Sequence, residues 1–145
     1  MKKIEYREVV EAIIFRGEKV LITKRSQLAK VAPNIWNVPA GKIKTGEHPE
    51  IAVLREVKEE VDYSLENGKF LGVREFEVDL GEYLRKRKVF TYSFVISNDF
   101  PEPKINFEHS EYCWCDRESL KLSKFETLDK DIVNYIKQEF EIINE

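Results

Sequence analysis

No apolar run in this sequence approaches the roughly 18 residues needed to cross a bilayer, which excludes a spanning helix. The opening MKKIEYREVV has basic residues but no apolar stretch and no small-residue cleavage site, so no secretory leader is expected and the expected location is the cytoplasm. A basic excess is missing too. The 24 Lys and Arg residues are outnumbered by 27 Asp and Glu, for a formal net charge of −3. That gives no electrostatic footprint for duplex nucleic acid, although a pocket for one nucleotide or an RNA end needs none. Cysteine is scarce. Cys113 and Cys115 are two positions apart, no second pair follows, and a zinc site on C-x2-C is excluded. Two reduced, packed thiols are expected. No repeat, low-complexity tract or linker divides the chain, and 145 residues suit a single domain, 1–145. What remains is an ordinary globular composition, 42% hydrophobic and 35% charged.

The densest chemistry lies between Gly41 and Tyr63, GKIKTGEHPEIAVLREVKEEVDY. A glycine turn leads to Glu47, then to a helix carrying Arg55, Glu56, Glu59 and Glu60. Pro49 suits its first turn, where a missing N–H is not needed, and His48 reads as a helix-entry residue. At about 100° per residue the three helix glutamates fall within about 100° of one another. Crowded carboxylates repel unless a positive charge sits among them, and oxygen-only ligands suit a hard cation such as Mg²⁺ or Mn²⁺. Leu54, Val57 and Val61 form the opposite, apolar flank. A Glu/Lys-rich helix is usually no more than a solvated face, but the wider spacing is specific. Gly41, Glu47, Arg55, Glu56, Val57, Glu59 and Glu60 match G-x5-E-x7-R-E-U-x-E-E, with U a bulky apolar residue. At ordinary residue frequencies a chance match in a chain this long is on the order of one in a million.

This segment, 41–63, resembles the Nudix box of the Nudix hydrolase family. The family pattern continues x-G-U, and here Asp62 and Tyr63 stand at the last two positions. The family glycine closes the helix, so Asp62 must tolerate a left-handed conformation, which aspartate does better than most residues.

Along the rest of the chain, Val9–Phe15 and Lys19–Lys24 read as a β-hairpin around Arg16-Gly17-Glu18. Residues 26–34 form a loop, and Ile35–Ala40 a short strand into the Gly41 turn. Phe70–Leu80 and Val89–Ile96 read as strands, with the basic run Arg85–Lys88 near their hairpin tip. Residues 97–106 form a loop, Phe107–Asp116 a strand, and Asp129–Ile143 an amphipathic helix. The order of elements indicates an α/β class with a mixed sheet covered on both faces. The resemblance implies the Nudix α/β/α sandwich, with the mixed β-sheet between helices.

The resemblance also implies the chemistry: Mg²⁺-dependent hydrolysis (Mn²⁺ substituting) of a nucleoside diphosphate linked to another moiety. It implies metal ligation by Glu56, Glu59, Glu60 and the Ala40 backbone carbonyl, with Arg55 bracing Glu47 and other box acids. The general base is Glu56 or Glu59. Glu108, His109, Tyr112 and Trp114 form an E-H…Y-x-W pattern similar to a stretch after the box in the dinucleoside tetraphosphate and dihydroneopterin triphosphate branches. By that likeness Glu108 reaches the metal site, with Glu111 in reserve. Lys24, Arg25 and Trp36 are candidates for substrate contact, against the alternatives of a solvated strand end and core packing. The substrate class left open is a (deoxy)nucleoside triphosphate, pterin triphosphate, dinucleoside polyphosphate or oxidised nucleotide. The alternatives are a non-catalytic nucleotide- or ADP-ribose-sensing module, against which all box carboxylates argue, and RNA 5′-end hydrolysis, hinted at by Arg85–Lys88. A nucleotide-type small molecule is the expected partner, and many members of the family are homodimers.

Overall fold

The computed structural model describes residues 1–29 and 32–143. Lys30 and Val31, within the 26–34 loop expected from sequence, lie outside them. The chain runs β1 (Lys3–Arg16), β2 (Lys19–Arg25), β3 (Trp36–Asn37), β4 (Ala40–Lys42), α1 (Pro49–Val61), β5 (Lys69–Asp79), β6 (Tyr83–Ile96), β7 (His109–Cys115), two short 3-10 turns, and α2 (Lys130–Ile143).

The sheet orders as β3-β2-β1-β6-β5, with β4 also on β1 and β7 also on β2. Only β1 and β6 are parallel, in register from Lys3↔Tyr83 to Arg16↔Ile96. Val9–Phe15 is buried without alternation because both faces of the sheet are covered. On one face Val10, Ala12, Ile14 and Leu21 meet Ala52, Val53, Val57 and Val61 of α1. On the other, Ile13, Phe15, Val20 and Ile22 meet Ile132, Ile136 and Phe140 of α2. The layering is the α/β/α sandwich with a mixed sheet.

Three elements differ from expectation. First, β1 and β6 each begin six residues early, at Lys3 and Tyr83. Arg85–Lys88 is therefore strand and not a hairpin tip, and three of its four charges are matched across the sheet. Arg85 Nε lies 2.7 Å from Glu5, Lys86 Nζ 3.7 Å from Glu77 and Lys88 Nζ 3.9 Å from Glu75. Such cross-strand pairs make a charged ribbon a viable strand. Second, the expected Ile35–Ala40 strand divides. Trp36–Asn37 pairs with β2, and Ala40–Lys42 crosses to β1, because β1 and β2 pair only next to their turn. Third, β7 starts at His109, two residues late.

Helix α1 enters as expected, with Pro49 in its first turn and no side-chain cap from His48. It ends on Asp62 at φ 61°, ψ 38°, whose N–H donates to the Lys58 carbonyl. The aspartate adopts the left-handed conformation that usually favours glycine, and its carboxylate pairs with Lys58 Nζ at 2.6 Å.

Candidate active site

The site forms where the second half of α1 meets β4. Arg55 organises it. Its Nε donates to Glu47 Oε2 at 2.8 Å and its Nη2 to Glu47 Oε1 at 2.9 Å. Nη2 also donates to the Lys42 carbonyl at 2.9 Å, and Nη1 to Glu56 Oε1 at 2.8 Å and Glu59 Oε2 at 3.3 Å. One guanidinium thus draws together three acids from the loop and the helix, using the planar fork that lysine lacks. These hydrogen bonds pull the Glu47 carboxyl down to a pKa of about 2, and the same bond keeps Arg55 charged.

The three helix glutamates sit in different environments. The Glu59 side chain is 51% exposed and the Glu56 side chain 12%. Glu60 is buried, at 2%, on the stripe that also buries Val53, Val57 and Val61. The sequence reading set it with Glu56 and Glu59 on a metal-facing stripe, opposite the apolar flank. Burial, reinforced by hydrogen bonding and repulsion from Glu56, raises the Glu60 pKa far above the carboxylate range. Burial also raises Glu56, opposed by Arg55.

Gly41 lies against Glu56. A Cβ built on it would fall 2.0 Å from the Glu56 carboxyl carbon. The turn therefore needs glycine for close approach, not for an unusual backbone angle. One residue earlier, Ala12 N–H donates to the Pro39 carbonyl. Strand alternation then turns the polar groups of Ala40 away from β1, and its N–H bonds the Glu60 carboxyl.

The remaining wall comes from the segment between β6 and β7. It lies along the end of α1, where Asn106 N–H donates to the Glu60 carbonyl at 3.1 Å and Lys104 N–H to the Val61 carbonyl at 2.9 Å. Both satisfy carbonyls a helix end leaves free. This path brings Glu108 close enough for its charge to act on Glu60, and sets His109 Nε2 3.2 Å from Glu60 Oε1. Burial holds the His109 pKa down to about 4, so the contact joins a neutral imidazole to the carboxyl and is not an ion pair. Glu111 points elsewhere, its carboxylate 3.3 Å from Lys24 Nζ. Arg25 stands opposite His109 across β2 and β7.

Trp36 is not an open platform. It is 7% exposed, edge-on to Phe125 at 5.2 Å, with Lys24 and Lys124 ammonium groups over its ring. That corrects its candidacy for stacking a base: it packs in the core.

Two partners escaped sequence reasoning. His109 was noted only as part of a pattern. Glu11 on β1 is 4% exposed and bonds Arg74 of β5 at 2.6 Å and Thr91 of β6 at 2.7 Å. Arg74 also reaches Asp129 at 2.9 Å, just before α2. A lone acid in the apolar strand VVEAIIF was the available signal for that buried tie.

Among the described residues no three His, Cys, Asp or Glu side chains converge as they stand on one point. The donor set nevertheless fits a hard cation. Glu60 Oε2 is buried without a hydrogen-bond partner, and the Glu56 carboxyl beside it has room only because Gly41 has no side chain. All the side-chain donors are oxygen.

A family model described as the NUDIX domain matches residues 5–136. The chain belongs to this family, whose members generally use a divalent metal ion. It is 41% identical over 59 residues to an RNA pyrophosphohydrolase from Acidiphilium cryptum, covering 40% of this chain and 36% of that one. It is 28% identical over 111 residues to the CTP pyrophosphohydrolase of Escherichia coli, covering 77% and 76%. It superposes on the crystal structure of a MutT protein from Methanosarcina mazei with a TM-score of 0.78 at 25% identity, covering 100% and 99%. The chain spans about a third of the length of two of the curated relatives it matches, 36% and 30%. Among the described residues no helix is long and apolar enough to cross a membrane.

Proposed function

We propose that this protein is a Mg²⁺-dependent pyrophosphohydrolase that cleaves a phosphoric anhydride bond in a nucleoside 5′-polyphosphate. The observation that carries it is the pairing of Glu56, held by Arg55, with the buried Glu60, whose Oε2 has no hydrogen-bond partner. Two acids pressed together at this depth are costly unless a cation joins them.

Glu56, Glu59, Glu60 and Glu108, with the Ala40 carbonyl, would hold the ion. When bound, Mg²⁺ supplies charge neutralisation for the polyphosphate and a more acidic water. The chain's own residues do the rest. Arg55 fixes Glu56 and Glu59 in position while tied to Glu47. Glu56 or Glu59 accepts the proton from the attacking water. Water adds to phosphorus, the anhydride P–O bond breaks, and the leaving group departs as a phosphate or phosphate-bearing product. Lys24 and Arg25, at the end of β2, are the candidates for contact with phosphate oxygens. The names of the RNA and CTP relatives support a 5′-triphosphate end as the substrate feature.

The test is a panel with Mg²⁺: canonical and oxidised nucleoside triphosphates, dinucleoside polyphosphates, a pterin triphosphate, ADP-ribose, and triphosphorylated or capped RNA, following phosphate and pyrophosphate release. Turnover of one or more members is expected. Binding of ADP-ribose or a nucleotide with no turnover of any member would replace this reading with the sensing module.

A further inference from the structure

His109 and Glu60 form a deeply buried polar contact, with side chains 4% and 2% exposed. Each is half satisfied. His109 Nε2 meets Glu60 Oε1, while His109 Nδ1 and Glu60 Oε2 have no hydrogen-bond partner. A neutral imidazole has one N–H donor and one bare acceptor nitrogen. With the donor on Nε2, Nδ1 is left as a bare acceptor without a donor, and Glu60 receives the His109 bond on Oε1.

We infer that His109 is a positioning residue for the metal site: its Nε2–H fixes Glu60 Oε1, so that Oε2 is presented to the cation. This rests on the metal reading above and assigns a role to a residue that reading leaves unused. The second fixed bond to the Glu60 carboxyl is the Ala40 N–H. His109 N–H donates to the Asn106 carbonyl at 3.1 Å, in the turn that leads into β7. Donors that fix a ligand's orientation typically change metal affinity by about 10–100-fold when removed.

Mn²⁺ serves as the probe, its binding read by electron paramagnetic resonance without substrate, beside thermal unfolding without metal. Leucine fills the ring's space with no donor. Glutamine carries an amide N–H about as far from the backbone as Nε2, and asparagine carries one too short to reach. His109→Leu is expected to weaken Mn²⁺ binding by about 10–100-fold, and His109→Gln to restore most of it. Equal Mn²⁺ affinity in parent and His109→Leu would overturn the inference. Should His109→Leu not fold, the comparison passes to Gln against Asn: tighter Mn²⁺ binding by Gln supports it, and equal binding overturns it. A parent that takes up no Mn²⁺ removes the metal reading and this inference together. A parent that binds while all variants bind alike removes only this one.

Discussion

Arg55 grips Glu47 through two near-parallel hydrogen bonds, Nε to Oε2 at 2.8 Å and Nη2 to Oε1 at 2.9 Å. The carboxyl binds its proton less readily folded, at about 2, than at its ordinary value of 4.5. Its stabilising effect is therefore fully present above about pH 4.5 and is lost as pH falls toward 2. Glu47→Gln should lower the melting temperature at pH 7. The gap to the parent should narrow at pH 3, as thermal scans at both pH values would show. A gap that widens in acid would contradict the assignment.

Gly41 gives a second prediction. An added Cβ would strike the end of the Glu56 side chain, not backbone, so Gly41→Ala should fold and push Glu56 out of line. Displacements of about 1 Å at a reacting centre can cost about a hundredfold in rate. Steady-state kinetics should show a loss of that order in kcat, with circular dichroism unchanged.

Glu11 concerns stability alone. Arg74 keeps Asp129 when Glu11 is removed, but its buried guanidinium loses its closest acid and Thr91 loses its acceptor. Glu11→Ala should cost about 3 kcal/mol, measured by urea unfolding. A change below about 1 kcal/mol would mean the pair is solvated.

Much of the site was legible because it is local. The Arg55–Glu59 pair follows from i,i+4 spacing and appears at 3.3 Å. The Arg55 brace on Glu47 followed from the 23-residue resemblance, while the close fit of Gly41 against Glu56 did not. The helix–sheet layering was readable from apolar runs and from the period of α2. What could not be read depends on distant pairing. Residues 3–8 and 83–88 are too charged to announce a strand, and become one only by lying beside each other in parallel register. Helical angle alone could not show that Glu60 is buried while Glu59 is exposed, because that is set by the β6–β7 segment lying over the end of α1. The same segment brings His109 to Glu60, across 48 intervening positions, and no local pattern encodes that contact.

The central claim is that Glu60 exists to hold a cation. A protonated Glu60 and a glutamine have nearly the same shape and polarity, so Glu60→Gln should fold like the parent in the absence of metal. The decisive measurement is the Mg²⁺-dependent hydrolysis rate of parent and Glu60→Gln on the best substrate of the panel. A drop of about a hundredfold or more is predicted, the loss of several kcal/mol of metal-borne stabilisation. A folded Glu60→Gln protein that turns over as fast as the parent would contradict the account.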